Sequence, residues 1–68
     1  MTKLPSSQEI IQVLLRHGFK FISQRGSHQK YKKGSRIVIV PAPRKQIPMG
    51  TFRSIIRQSG LNKADFQL

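Results

Sequence analysis

An α+β fold in the order helix, three strands, helix is what this sequence predicts, and three observations carry the prediction. Two stretches, 7–17 and 48–59, repeat apolar residues at helical spacing. The chain between them is divided by two Gly-Ser pairs, Gly26-Ser27 and Gly34-Ser35, of the kind that punctuates short strands. The last of those segments, Ile37-Val38-Ile39-Val40, is an uninterrupted β-branched run that fits a half-buried pleated surface.

The first helix is expected from Ser7 to His17. Ser6 and Glu9 stand three apart behind Pro5, the spacing at which a serine oxygen and a carboxylate each satisfy an orphan donor of the first turn. Ile10, Ile11, Leu14 and Leu15 give it one apolar stripe. Gly18 then offers the left-handed residue that ends helices, with Arg16 and His17 complementing the negative helix end.

Phe19 to Gln24 reads as a short strand running into a turn at Arg25-Gly26-Ser27. His28 to Lys32 reads as a second strand, in which only Tyr31 is apolar. Period-two geometry places His28, Lys30 and Lys32 on one face and Gln29 and Tyr31 on the other. Lys33-Gly34-Ser35 turns into the third strand, Arg36 to Val40.

Pro41 to Gln46 is read as a loop, because its prolines lack the donor a central strand needs. The second helix is expected from Pro48 to Ser59, with Pro48 in its first turn. Met49, Phe52, Ile55 and Ile56 would form its buried stripe, with Arg53 and Arg57 on the exposed side. Gly60 closes it, and Asn62 can cap a final short turn that packs Phe66 back on the core. Three strands cannot cover themselves, so both helices should share one face of a three-stranded antiparallel sheet, leaving the other face solvated and basic. This α-β-β-β-α order is that of double-stranded-RNA-binding domains, and residues 1–68 are expected to make one domain.

Charge speaks to partners. Thirteen Lys and Arg face two acids, Glu9 and Asp65, for a formal net charge of +11. Neutralising phosphates supplies most sequence-independent nucleic-acid affinity, so RNA or DNA leads, with an acidic protein partner compatible. Without cysteine there can be no disulfide or thiolate zinc site, which is consistent with a reducing cytoplasm. No run nears the roughly 18 apolar residues of a membrane span, and Met1 to Pro5 lacks the apolar run of a secretory signal. Neither helix pairs a basic face with an exposed aromatic one, which argues against a membrane surface.

Gly26-Ser27-His28-Gln29-Lys30-Tyr31, together with Leu4-Pro5 and Gly18-Phe19 before it, resembles the HicA (YcfA-like) toxins. Val40-Pro41, Gly50-Thr51-Phe52-Arg53-Ser54-Ile55 and Gln58-Ser59-Gly60-Leu61 extend the resemblance in order over nearly the whole chain. It implies a double-stranded-RNA-binding-domain-like fold and a toxin of a two-gene toxin–antitoxin pair that cleaves mRNA and is neutralised by a HicB antitoxin. It also implies that His28 is catalytic. One departure stands out, since many members carry a second histidine after the Val-Pro that ends the third strand, whereas this chain reads Val40-Pro41-Ala42-Pro43-Arg44-Lys45.

Chemically, His28 is either a solvated histidine beside a turn or a general base that takes the proton of a ribose 2′-hydroxyl as it attacks phosphorus. Positioned proton transfer of that kind contributes about 10²- to 10⁴-fold. A metal route would need clustered carboxylates, and Glu9 and Asp65 are far apart with helix-terminal roles of their own. No cofactor is expected. Charge stabilisation then falls to a cation. Lys30 is the first choice because it shares the predicted face of His28, with Lys32 or Arg36 next and an ordinary phosphate-steering role as the alternative. Ser27 can bond a phosphate or merely its own turn. By analogy with the double-stranded-RNA-binding fold, Arg44, Lys45 and Arg53 would stand near phosphates. The competing reading of the whole chain is a non-catalytic RNA-binding module.

Overall fold

Two-residue turns organise the sheet. The computed structural model describes residues 4–66, and in it α1 (Ser7–Arg16) leads to β1 (Lys20–Arg25), β2 (His28–Lys33) and β3 (Arg36–Pro41), followed by α2 (Met49–Ser59). A single 3₁₀ turn, Lys63–Phe66, closes the fold. Gly26 and Gly34 both take φ +59°. A glycine at the first position of a two-residue loop is the pattern of the hairpin turn whose twist matches that of its strands. β1 and β2 each run one residue farther toward the turn that follows than expected, to Arg25 and Lys33, while β3 continues one residue past Val40, to Pro41, at its end away from the turns.

The sheet is antiparallel in the order β1-β2-β3. Tyr31 stands opposite Val38 and Gln29 opposite Val40, and these residues face the helices. His28, Lys30 and Lys32 fall on the opposite face, as alternation requires. Along β1 the register shifts between Phe21 and Ser23, so that Ile22 is an extra residue, a β-bulge. Phe21 remains opposite Tyr31, with the rings edge-on at 5.7 Å, yet it is 51% exposed, and every other residue of β1 is exposed with it.

Both helices pack on one face. Ile10, Val13 and Leu14 of α1 and Phe52 and Ile55 of α2 meet Tyr31, Val38 and Val40 in a single core. Within α1 the stripe is rotated from expectation. Val13 is buried and Leu15 is 50% exposed, because i, i+3, i+4 spacing centred on Ile10 selects residues 13 and 14. Ile11, Met49 and Ile56 pack at the margin, partly buried. Phe66 returns to meet Phe52 edge-on at 5.5 Å.

The caps follow the expected chemistry. Glu9 N–H donates to Ser6 Oγ and Ser6 N–H to Glu9 Oε1, completing the capping box. Pro48 is the cap of α2 rather than part of its first turn, its carbonyl accepting from Phe52 N–H. In the last turn it is the Asp65 carboxylate that accepts from Asn62 N–H.

The segment between β3 and α2 is more ordered than a surface loop. Ala42 and Ile47 are buried. Ile47 N–H donates to the Pro5 carbonyl, Ser7 N–H donates to the Arg44 carbonyl, and Arg44 N–H donates to Ser7 Oγ. These bonds tie the segment to the start of α1.

Candidate active site on the outer sheet face

The solvated face of the sheet is built of cross-strand rungs. Arg25 pairs with His28, which pairs with Pro41, and Ser23 pairs with Lys30, which pairs with Ile39. Together Ser23, Arg25, His28, Lys30 and Ile39 line an open cleft of about 390 Å³. His28 is exposed in it. The cleft thus offers one imidazole, two cations, one hydroxyl and one apolar wall.

His28 is held from three sides. Gly26-Ser27 forms the turn before it, and the Ser27 carbonyl accepts from Ala42 N–H at 2.7 Å, so β3 and its exit segment pin the turn. That bond makes His28–Pro41 a non-hydrogen-bonded rung, where a proline costs the ladder no donor. Beneath the turn runs a chain of side-chain bonds. Tyr31 Oη donates to Gln29 Oε1 at 2.7 Å, Gln29 Nε2 to Gln24 Oε1 at 3.5 Å, and Gln24 Nε2 to the Gly26 carbonyl at 3.0 Å. Burial of the Tyr31 ring pushes its phenol pKa above the usual 10.0, which keeps it a donor. The core thereby reaches the turn that carries His28.

The expected phosphate contacts separate in space. Lys30 joins His28 in the cleft. Lys32 lies one rung farther along, opposite Lys20 and Ile37. Arg36 stands at the other end of the sheet, opposite Lys33, where its Nη1 donates to the Gln58 carbonyl at 3.5 Å. Its guanidinium also covers Gly60, so that a Cβ there would meet Cζ at 2.5 Å. Ser27 and Lys45 are exposed but do not line the cleft. Arg44 is exposed on the tied-down segment, and Arg53 belongs to α2, on the other side of the sheet from His28. Sequence reasoning missed Ser23 and Arg25 as neighbours of His28. The legible signal was Gly26-Ser27 itself, because a two-residue turn sets the residue before it against the residue after it.

Among the described residues no three His, Asp or Glu side chains gather where they could hold a metal ion. No helix among them is long and apolar enough to cross a membrane.

Comparison with known families settles the broad identity. A family model described as HicA toxin of bacterial toxin–antitoxin matches residues 7–61. The chain belongs to the HicA toxin family. The matched span runs from the first residue of α1 past the end of α2 and contains every residue of the cleft. This HicA protein is therefore a toxin of a toxin–antitoxin system, and membership implies an antitoxin partner. No curated protein matches the chain.

Proposed function

We propose that this HicA toxin is a metal-independent endoribonuclease acting on mRNA, with His28 as its general base. The observation that carries the reading is the exposed imidazole of His28 in a cleft with Arg25 and Lys30 and, among the described residues, no carboxylate. A neutral imidazole accepts the 2′-hydroxyl proton as the 2′-oxygen bonds to phosphorus and the bond to the 5′-oxygen breaks. The imidazolium so formed returns that proton to the departing oxygen. The products are a 2′,3′-cyclic phosphate and a 5′-hydroxyl, and no metal or cofactor enters. A donor set of one imidazole and two cations favours an anionic substrate over a bound metal ion.

The remaining cations steer. Lys32 continues the outer face from the cleft, while Ser27, Arg36, Arg44, Lys45 and Arg53 add to the field that draws a polyanion in. With no second histidine after Val40-Pro41, one imidazole serves as acid and base in turn. The antitoxin is read as a HicB-like acidic protein that covers His28 and the basic face, with both partners in the cytoplasm.

Cleavage of RNA by the wild type in excess EDTA, compared with His28→Ala, tests the reading. The expected result is undiminished cleavage in EDTA and a loss of about 10²- to 10⁴-fold in the variant. A folded His28→Ala protein that cleaves like its parent would remove the general base. An RNA-binding wild type that leaves RNA intact would support the binding-module alternative.

A further inference from the structure

We infer that Arg25, rather than Lys32 or Arg36, is the residue that grips the reacting phosphate beside His28. The inference rests on the nuclease reading and names its second catalytic group.

Placement is the first argument. Directly opposed residues on one sheet face have Cβ atoms roughly 4.5–5.5 Å apart. Arg25 is opposite His28, and Ser23–Lys30 forms the next rung on that face, about 7 Å along the strand at roughly 3.4 Å per residue. A phosphate held between the rungs lies within reach of the Arg25 guanidinium, the Lys30 ammonium and the Ser23 hydroxyl while its ribose meets His28. The bulge at Ile22 makes this possible. Strict alternation from Phe21, which faces Tyr31, would turn Ser23 and Arg25 to the helix side. The extra residue reverses their parity.

Availability is the second argument. Glu9 is engaged in the capping box and Asp65 with Asn62 N–H, so the chain's two acids do not neutralise the cleft. Among the described residues neither Arg25 nor Lys30 has a side-chain hydrogen bond or ion pair, whereas Arg36 is already committed to Gln58 and Gly60. Cations gathered without a counter-charge form a site for an anion from outside the chain. Arginine suits the task because its planar fork meets two phosphate oxygens at once and remains charged throughout the reaction. As phosphorus gains its fifth oxygen, the extra negative charge develops where those donors point, and no bond to Arg25 forms or breaks.

The test uses wild type, Arg25→Ala, Arg25→Lys and Lys63→Ala, the last a charge-matched control in the closing turn. One arm measures cleavage at saturating RNA. Arg25→Ala should lower that rate by about 10²- to 10³-fold, Arg25→Lys should fall between it and wild type because the fork is lost, and Lys63→Ala should stay within about twofold. The second arm follows uridine 3′-monophosphate by NMR, where amides of Arg25, His28 and Lys30 should shift and Arg25→Ala should weaken affinity about tenfold. A cleaving wild type whose saturated rate and nucleotide affinity are both indifferent to Arg25→Ala would overturn the assignment. A wild type that leaves RNA uncut yet binds the nucleotide through Arg25 would refute the nuclease reading and keep the phosphate grip.

Discussion

Replacing Gly26 or Gly34 by alanine separates what a turn does for the fold from what it does for the site. Both glycines have φ +59°, both begin a Gly-Ser hairpin loop, and a Cβ at either meets nothing within 4 Å. Sterics with neighbours therefore drop out, and only backbone strain remains. That strain is about 1–2 kcal/mol for an L-residue in the left-handed region, offset by about 0.4–1 kcal/mol from the reduced freedom of the unfolded chain. The net is roughly 1 kcal/mol for each variant, or a fall in Tm of about 4–8 °C in a domain of this size. Function should part them. Gly26 immediately precedes the turn residue before His28, whereas Gly34 lies beyond the far end of β2, about 20 Å away at roughly 3.4 Å per residue. A shift of about 1 Å at a reacting group can cost about 10²-fold, so Gly26→Ala should slow RNA cleavage by roughly 10- to 100-fold and Gly34→Ala by less than about twofold. Thermal unfolding by circular dichroism and cleavage well below both midpoints read the two quantities. Equal losses of cleavage, or stability costs differing by more than about 1 kcal/mol, would refute the reasoning.

Two further outcomes follow from the hydrogen bonds. Ser6→Ala removes the acceptor for Glu9 N–H and should cost about 1 kcal/mol, read as a lower urea midpoint at unchanged slope. Tyr31 has a phenol pKa raised by burial, so its contribution is fully present below the unfolded value near 10 and is lost as pH climbs through the folded one. Between pH 9 and about 12 the wild type should lose more Tm than Tyr31→Phe, which has no phenol to ionise. Parallel curves would mean that the ring is not buried in solution.

The helices were legible in the sequence because their signals are local. Ser6 and Glu9 state the start of α1 and Gly60, at φ +73°, the end of α2. The parity of β2 was equally plain, with Tyr31 buried and His28 exposed on opposite faces. What alternation could not yield was β1. Every residue of that strand is exposed, so it carries no buried-face pattern, and its bulge changes parity midway. Arg25 thus escaped notice as a neighbour of His28. The segment after β3 was also under-read. Ile47 is fully buried and bonds back to Pro5, and Arg44 beside it bonds to Ser7, partners about forty residues away in sequence and invisible to any local window. Arg36 shows the opposite limit, since its residue type suits phosphate and only its position withdraws it.

The two flanks of the sheet have different fates. On the β3 flank, Ile39 N–H donates to Gln58 Oε1 at 3.1 Å, so a side chain from α2 occupies that margin. On the β1 flank the register is broken at Ile22. A strand arriving from another molecule would find a continuous template only on either side of that break, too short to propagate a ribbon. Copies of this toxin, each bearing a surplus of positive charge, are thereby discouraged from polymerising through their margins while the cationic face stays open.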